Sequence, residues 1–156
     1  MTEILANVVT QATTAVPMTT SLPGYLHMQV VVQPAAIGEI RRIVGAHLNL
    51  WDCADAADVV LTGVSELLTN VHRHAADPRC LLHIATVSRG ICVEVHDRSS
   101  EEPVVAEPHE NSEQGWGLWM LQKMADDFGC QKTLTGKCVW FRYDLAKVAG
   151  WRNSSR

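Results

Sequence analysis

The sequence lacks any apolar run that approaches the roughly 20 residues needed by a helix that crosses a bilayer. Its first residues contain an acid, Glu3, and no basic segment, which is not the pattern of a secretory signal peptide. The cysteines number five, an odd count, and no two form a CxxC pair. Such cysteines are more typical of free core thiols in a reducing compartment than of a disulfide framework. These absences predict a cytoplasmic protein.

A basic stripe is also missing, because 13 Lys and Arg face 17 Asp and Glu, giving a net charge of -4. This balance argues against direct nucleic-acid binding as the main role, but it permits one local site for a charged nucleotide. The 156 residues, of which 47% are hydrophobic and 19% charged, suit one globular domain with its own core.

Three regions are predicted along the chain. Residues 1–24 are rich in Thr and contain Pro17, Pro23 and Gly24, which favours a flexible N-terminal arm. Residues 25–146 hold the periodic segments and are predicted to form the folded domain, followed by a polar tail at 147–156. No internal repeat divides the domain.

Hydrophobic periodicity predicts three helices and five strands within that domain. In chain order these are a strand at 25–33, helices at 35–51 and 56–76, a hairpin of strands at 80–88 and 91–97, a helix that ends at Gly129, and a final hairpin at 130–145 turning at 135–137. A stretch without periodicity, residues 98–114, precedes the third helix. The pattern predicts an α+β fold, a two-layer sandwich with a mixed, mostly antiparallel sheet covered on one face by helices.

The segment "ELLTNVHRHA" places Glu66, Asn70 and His74 four residues apart on the second helix. Residues at this spacing share one helix face, so a polar line runs beside the apolar stripe. A carboxylate, an amide and an imidazole can hold a hydrated Mg²⁺ ion and position a water molecule. Taken alone, the segment is more typical of an amphipathic helix whose polar edge faces solvent.

Two further positions could take part in ligand binding. Asp97 ends a strand whose inward residues are apolar, so its carboxylate could accept a hydrogen bond from a purine amine. The alternative is an Asx turn with Ser99 or Ser100. "GWGL", Gly115–Leu118, opens a helix with glycines, where backbone N–H groups and the helix dipole favour a phosphate.

The order of these parts resembles the GHKL, or histidine-kinase-like, ATPase domains. The resemblance is strongest to bacterial anti-sigma-factor serine kinases and small actinobacterial ATP-binding regulators, and it covers residues 26–145. It rests on "ELLTNVHRHA" and "GWGLWML", in this order around the strand-terminal Asp97. It implies the histidine-kinase-like ATPase fold, with ATP and Mg²⁺ as cofactors.

The resemblance also implies roles on the second helix and the strand that ends at Asp97. Glu66 matches the acid that activates the attacking water or acceptor hydroxyl. Asn70 matches the Mg²⁺ ligand that also bridges to the phosphates. Arg73 and His74 match the end of the same motif, and His74 has a structural or phosphate-proximal role. Asp97 matches the carboxylate that recognises adenine.

On the C-terminal side, Gly115 and Gly117, followed by Leu118, match the glycines that hinge an ATP lid at about 98–114. Lys137 and Cys138 lie in the last hairpin of the implied pocket, where Cys138 replaces a Thr that is usual in the family. Trp116 stands where small relatives often have Arg. The lid has no Lys or Arg between Arg98 and Lys123, but contains five glutamates. These departures favour nucleotide binding over catalysis.

The implied function is an ATP-Mg²⁺-binding anti-sigma factor, with serine/threonine kinase activity toward an anti-anti-sigma partner. Its implied partners are a sigma factor, this antagonist, ATP or ADP, and a second copy in a homodimer. A non-catalytic, nucleotide-gated protein-binding module is the alternative. A zinc site formed by His72, His74, Cys80 and His83 is disfavoured, because each neighbouring pair points in opposite directions.

Overall fold

The computed structural model describes residues 19–22, 24–113 and 115–146. This part of the chain forms a six-stranded sheet and three α-helices. The strands are β1 (Thr19–Leu22), β2 (Tyr25–Val31), β3 (Arg79–Val87), β4 (Gly90–Asp97), β5 (Asp127–Lys132) and β6 (Lys137–Asp144). The helices are α1 (Pro34–Leu50), α2 (Ala57–His74) and α3 (Trp116–Met124), with a 3-10 turn at Ala54–Ala56 before α2.

The sheet has the strand order β1-β2-β3-β4-β6-β5. Every described pairing is antiparallel, so the parallel component implied by a mixed sheet is not present among these strands. Antiparallel strands can bury one face and leave the other polar, which fits the alternation in β4. The predicted two-layer α+β sandwich is confirmed.

The core lies between one face of the sheet and the three helices. The α2 stripe packs there because its apolar residues recur at helical spacing. Its buried side chains are Val60, Val64, Leu67, Leu68 and Val71. They belong to the same core cluster as inward strand residues such as Ile84, Val93 and Phe141, so the apolar stripe of α2 faces the sheet.

Several predicted boundaries need correction. Residues 19–22 were assigned to the flexible arm, but they form β1 through backbone pairing with β2. The third helix ends at Met124 rather than Gly129, because 127–129 pair with β6 as part of β5. Residues 1–18, 23 and the predicted tail at 147–156 lie outside the described residues. None of the described helices has the length and apolarity to cross a membrane.

Candidate functional site

The polar edge of α2 forms one wall of a cavity of about 430 Å³. Glu66, Asn70, Arg73 and His74 all line it, together with Thr69. Their neighbours one position away, such as Leu67 and Val71, are buried in the core and fix the helix rotation. The spacing that predicted a shared face therefore brings a carboxylate, an amide, a guanidinium and an imidazole to one opening.

The opposite wall is the irregular segment that precedes α3. Two glutamates of this segment, Glu101 and Glu107, line the cavity with Pro103, Pro108 and His109. Val105 packs against the core and Glu102 lies 3.8 Å from Lys132 in an ion pair. The segment is thus positioned over the cavity, as the predicted lid would be.

The start of α3 closes one side of the cavity through Gly115, Gly117 and Leu118. Gly115 has φ 93°, a left-handed conformation that favours glycine, and it is the N-cap of α3. Gly117 lies so close to Glu66 that an added methyl group would overlap the carboxylate. Among the described residues no side chain caps this helix start, so its first N–H groups could bind a ligand.

Asp97 and Lys137 form a buried ion pair beneath the cavity. Lys137 Nζ donates to Asp97 Oδ1 at 3.0 Å and lies 2.9 Å from Oδ2, and both side chains are at most 2% exposed. The backbone N–H of Ser99 also donates to Oδ1 at 2.7 Å, so the Asx turn is present as well. Oδ2 has no hydrogen-bond partner among the described residues. Lys137 lines the cavity, and Asp97 adjoins it through Lys137.

The helix N-terminus that opens onto the cavity can bind phosphate oxygens. The sequence model of the histidine kinase-like ATPase domain matches residues 30–143 of this chain. The chain belongs to this family. A search of curated proteins found no match. As an ATPase domain of this type, the chain is an ATP-binding protein, and the cavity is its candidate nucleotide site.

Not every residue that the resemblance assigns to this ATPase domain lies at the cavity. Cys138 pairs with His96 on the sheet face opposite the described helices, and it is not part of the cavity lining. Burial raises the pKa of the Cys138 thiol to about 12, so it stays protonated. The strand register places Lys137, and not Cys138, opposite Asp97. Sequence spacing alone does not give this register.

The charges around the ATPase cavity are mixed. Arg73 and Lys137 supply positive charge, while Glu66, Glu101 and Glu107 supply negative charge. Lys137 is already paired with Asp97, so Arg73 is the cation of the lining without a described carboxylate partner. The sequence did not predict the Lys137–Asp97 pair, and the only signal for it was the position of Lys137 directly after the final turn.

Proposed function

We propose that the protein is an ATP- and Mg²⁺-binding anti-sigma factor that phosphorylates a serine or threonine of an anti-anti-sigma partner. The observation that carries this proposal is the meeting of Glu66, Asn70 and the glycine-opened start of α3 around one cavity. These groups match the needs of phosphoryl transfer, in which positioning and charge stabilisation supply most of the catalysis.

Asn70 fits a hard divalent cation, because its side chain offers an amide oxygen. Glu66, one helical turn away on the same wall, offers a carboxylate that can accept a proton. When bound, Mg²⁺ would neutralise phosphate charge. Glu66 would accept the proton of the partner hydroxyl, and the N–H groups at the start of α3 would bind phosphate oxygens.

Adenine recognition is assigned to Asp97 Oδ2, the buried acceptor without a hydrogen-bond partner among the described residues. An exocyclic amine could donate a hydrogen bond to this oxygen, which is in an ion pair with Lys137 Nζ at 2.9 Å. Lys137 would then hold the carboxylate ionised and oriented through its contact with Oδ1.

The test is incubation of the protein with radiolabelled ATP, Mg²⁺ and a candidate anti-anti-sigma domain. We expect label on a serine or threonine of the partner, with transfer strongly reduced by Glu66→Gln. Glu113→Gln is the matched control, because Glu113 is exposed and does not line the cavity. No transfer by the wild type, under conditions in which an active relative labels its own partner, would exclude the kinase.

A non-catalytic nucleotide-gated module is the second candidate, and the acidic lid favours it. Glu101 and Glu107 line the cavity that would receive a triphosphate, and like charges at close range oppose its binding and transfer. Calorimetry separates the two candidates. Tight ATP binding without turnover, with an ATP-dependent pull-down of a sigma factor, supports the module.

A further inference from the structure

Three histidines and a glutamate cluster on the sheet face opposite the described helices. His27 of β2 lies directly opposite His83 of β3, and His83 lies directly opposite Glu94 of β4. His96 follows Glu94 by two residues, so its side chain emerges on the same face of β4. The register of three adjacent strands therefore assembles this cluster, which shares no residue with the nucleotide cavity lining.

Three donor atoms of the cluster converge. Glu94 Oε2 lies 3.0 Å from His96 Nε2 and 4.0 Å from His83 Nδ1. All three atoms lie within 4.8 Å of one another. Ligand atoms of a tetrahedral zinc ion at bond lengths of about 2.0–2.2 Å are separated by roughly 3.3–3.5 Å. Small side-chain rotations would bring the three donors to that spacing.

His83 is the most informative member, because it is only 8% exposed and its Nδ1 has no hydrogen-bond partner among the described residues. Its other nitrogen, Nε2, lies 2.8 Å from Nδ1 of His27. If Nε2 carries the proton, it donates to His27 and leaves a lone pair on Nδ1 that faces Glu94. A proton on Nδ1 would instead point toward Glu94 Oε2 at 4.0 Å, which is beyond ordinary hydrogen-bond distance.

We propose that His83 Nδ1, Glu94 Oε2 and His96 Nε2 bind one Zn²⁺ ion, with His27 as a positioning residue. Two imidazoles and a carboxylate are a borderline-soft donor set that zinc accepts, with one tetrahedral position left for a non-protein ligand. Metal-bound histidines usually donate their second ring N–H to another group. His27 Nδ1 is the acceptor in the right place for the Nε2–H of His83.

The proposed ligands are partly shielded from solvent. The side chains of Glu94 and His96 are 25% and 30% exposed, and that of His83 is 10% exposed. Burial lowers the pKa of His83 to about 4, which keeps this ring neutral and able to act as a ligand at pH 7. An ion here would cross-link β3 and β4 at the centre of the sheet.

Zinc titration of chelator-stripped protein, in competition with a chromogenic chelator, tests the proposal. We expect one Zn²⁺ per chain, with affinity lowered at least about tenfold by His83→Gln, Glu94→Gln or His96→Gln. The control is His72→Gln, since His72 is an exposed histidine on α2 outside the cluster. Co²⁺ should give visible absorption bands of a low-symmetry tetrahedral complex in the wild type and in His72→Gln.

The role of His27 has its own test. His27→Asn keeps an oxygen that can accept the N–H of His83, whereas His27→Leu does not. We expect His27→Leu to lower zinc affinity by about 10- to 100-fold and to change the Co²⁺ spectrum, and His27→Asn to restore most of both. A purely packing role for His27 would not give this rescue.

Folding of each variant is checked by its thermal unfolding in chelator. In the wild type, excess Zn²⁺ should raise the melting temperature, because the ion binds only the folded cluster. The proposal is overturned if the wild type does not bind zinc at micromolar concentrations. It is equally overturned if folded His83→Gln and His96→Gln bind zinc as the wild type does.

Discussion

Lys137 reaches Asp97 across the paired ends of β4 and β6, and both side chains are buried. Each of these buried charges is stabilised by the other, because either one alone would be a buried charge without a counterion. The pair therefore connects the electrostatics of the nucleotide site to the stability of the pairing between β4 and β6.

Lys137→Met should lower the free energy of unfolding by about 3–5 kcal/mol, because it leaves the Asp97 carboxylate buried without its cation. The matched control is Arg73→Met, which removes an exposed cation of the same cavity and should change stability by less than about 0.5 kcal/mol. Urea unfolding measures both values. Equal, small effects of the two substitutions would contradict the buried-pair assignment.

Asn70→Ala should abolish Mg²⁺-dependent ATP binding, whereas Glu66→Ala should spare it. The amide is assigned to the cation and the phosphates, while the carboxylate is assigned to the reacting hydroxyl, so only the first change removes a binding group. Calorimetric titration with ATP, with and without Mg²⁺, measures both. Equal Mg²⁺-dependent binding by the wild type and Asn70→Ala would overturn the assignment.

Some of these residue positions could be predicted from the sequence, and others could not. Glu66 and Asn70 were placed on one face by helical spacing, which is a local property of the chain. The contact of Lys137 with Asp97 depends on which residues of two strands stand opposite each other, and strand register is set by turns and core packing across the whole sheet. For this reason the side chain facing Asp97 could not be chosen between residues 137 and 138.

The first turn of α3 is in close contact with α2. Gly117, in the first turn of α3, lies against the Glu66 carboxylate of α2. A helix normally gains stability when alanine replaces an interior glycine, by as much as about 1 kcal/mol. The glycine at this position therefore reflects the space that Glu66 occupies rather than the preference of the helix.

Gly117→Ala should stabilise the protein only when Glu66 is also shortened. In the wild type the methyl group displaces the Glu66 carboxylate, which offsets the gain in helix propensity. In a Glu66→Ala background the same change should add about 0.5–1 kcal/mol to the free energy of unfolding. A double-mutant cycle by urea unfolding measures the difference.

The control for this cycle is Gly38→Ala on α1, where a methyl group would meet nothing within 4 Å. It should stabilise both backgrounds by the same amount. If Gly117→Ala were equally stabilising with and without Glu66, the two residues would not be in the contact that the structure gives them.

The boundary between α3 and β5 shows what element prediction missed. Asp126 and Asp127 were read as the end of a helix, but Asp126 accepts the N–H of Asp144 at 2.6 Å and Asp127 accepts two hydrogen bonds from Arg142. Phe128 stands opposite Phe141 across the two strands. These partners lie about fifteen residues away in sequence, so local propensity could not reveal that they would outweigh another helical turn.

The two faces of the sheet differ: one packs against the described helices, and the other carries the histidine cluster. The face toward the helices was predictable, because apolar alternation and helical stripes specify one packed layer. The cluster on the other face was not, since His27, His83 and Glu94 come from three strands that are brought into line by register alone.

The metal-free protein should lose stability as pH falls from about 6.5 to about 4. Burial lowers the pKa of His83 to about 4, whereas the unfolded chain takes up the same proton near pH 6.5. Between these values the unfolded state binds more protons, so acidification favours unfolding. His27 and His96 oppose protonation of His83, while Glu94 favours it, and the burial effect is larger than all three.

Urea unfolding in the presence of chelator, at about pH 7 and about pH 4.5, measures this loss, to which His83 should contribute roughly 2–3 kcal/mol. The comparison is between the wild type, His83→Gln, which removes the titrating ring, and His72→Gln, which leaves it in place. His83→Gln should flatten the dependence on pH by this amount, and His72→Gln should reproduce the wild-type slope because His72 is exposed. An unchanged slope in His83→Gln would contradict the lowered pKa of His83, because this ring would then be protonated as easily in the folded sheet as in the unfolded chain.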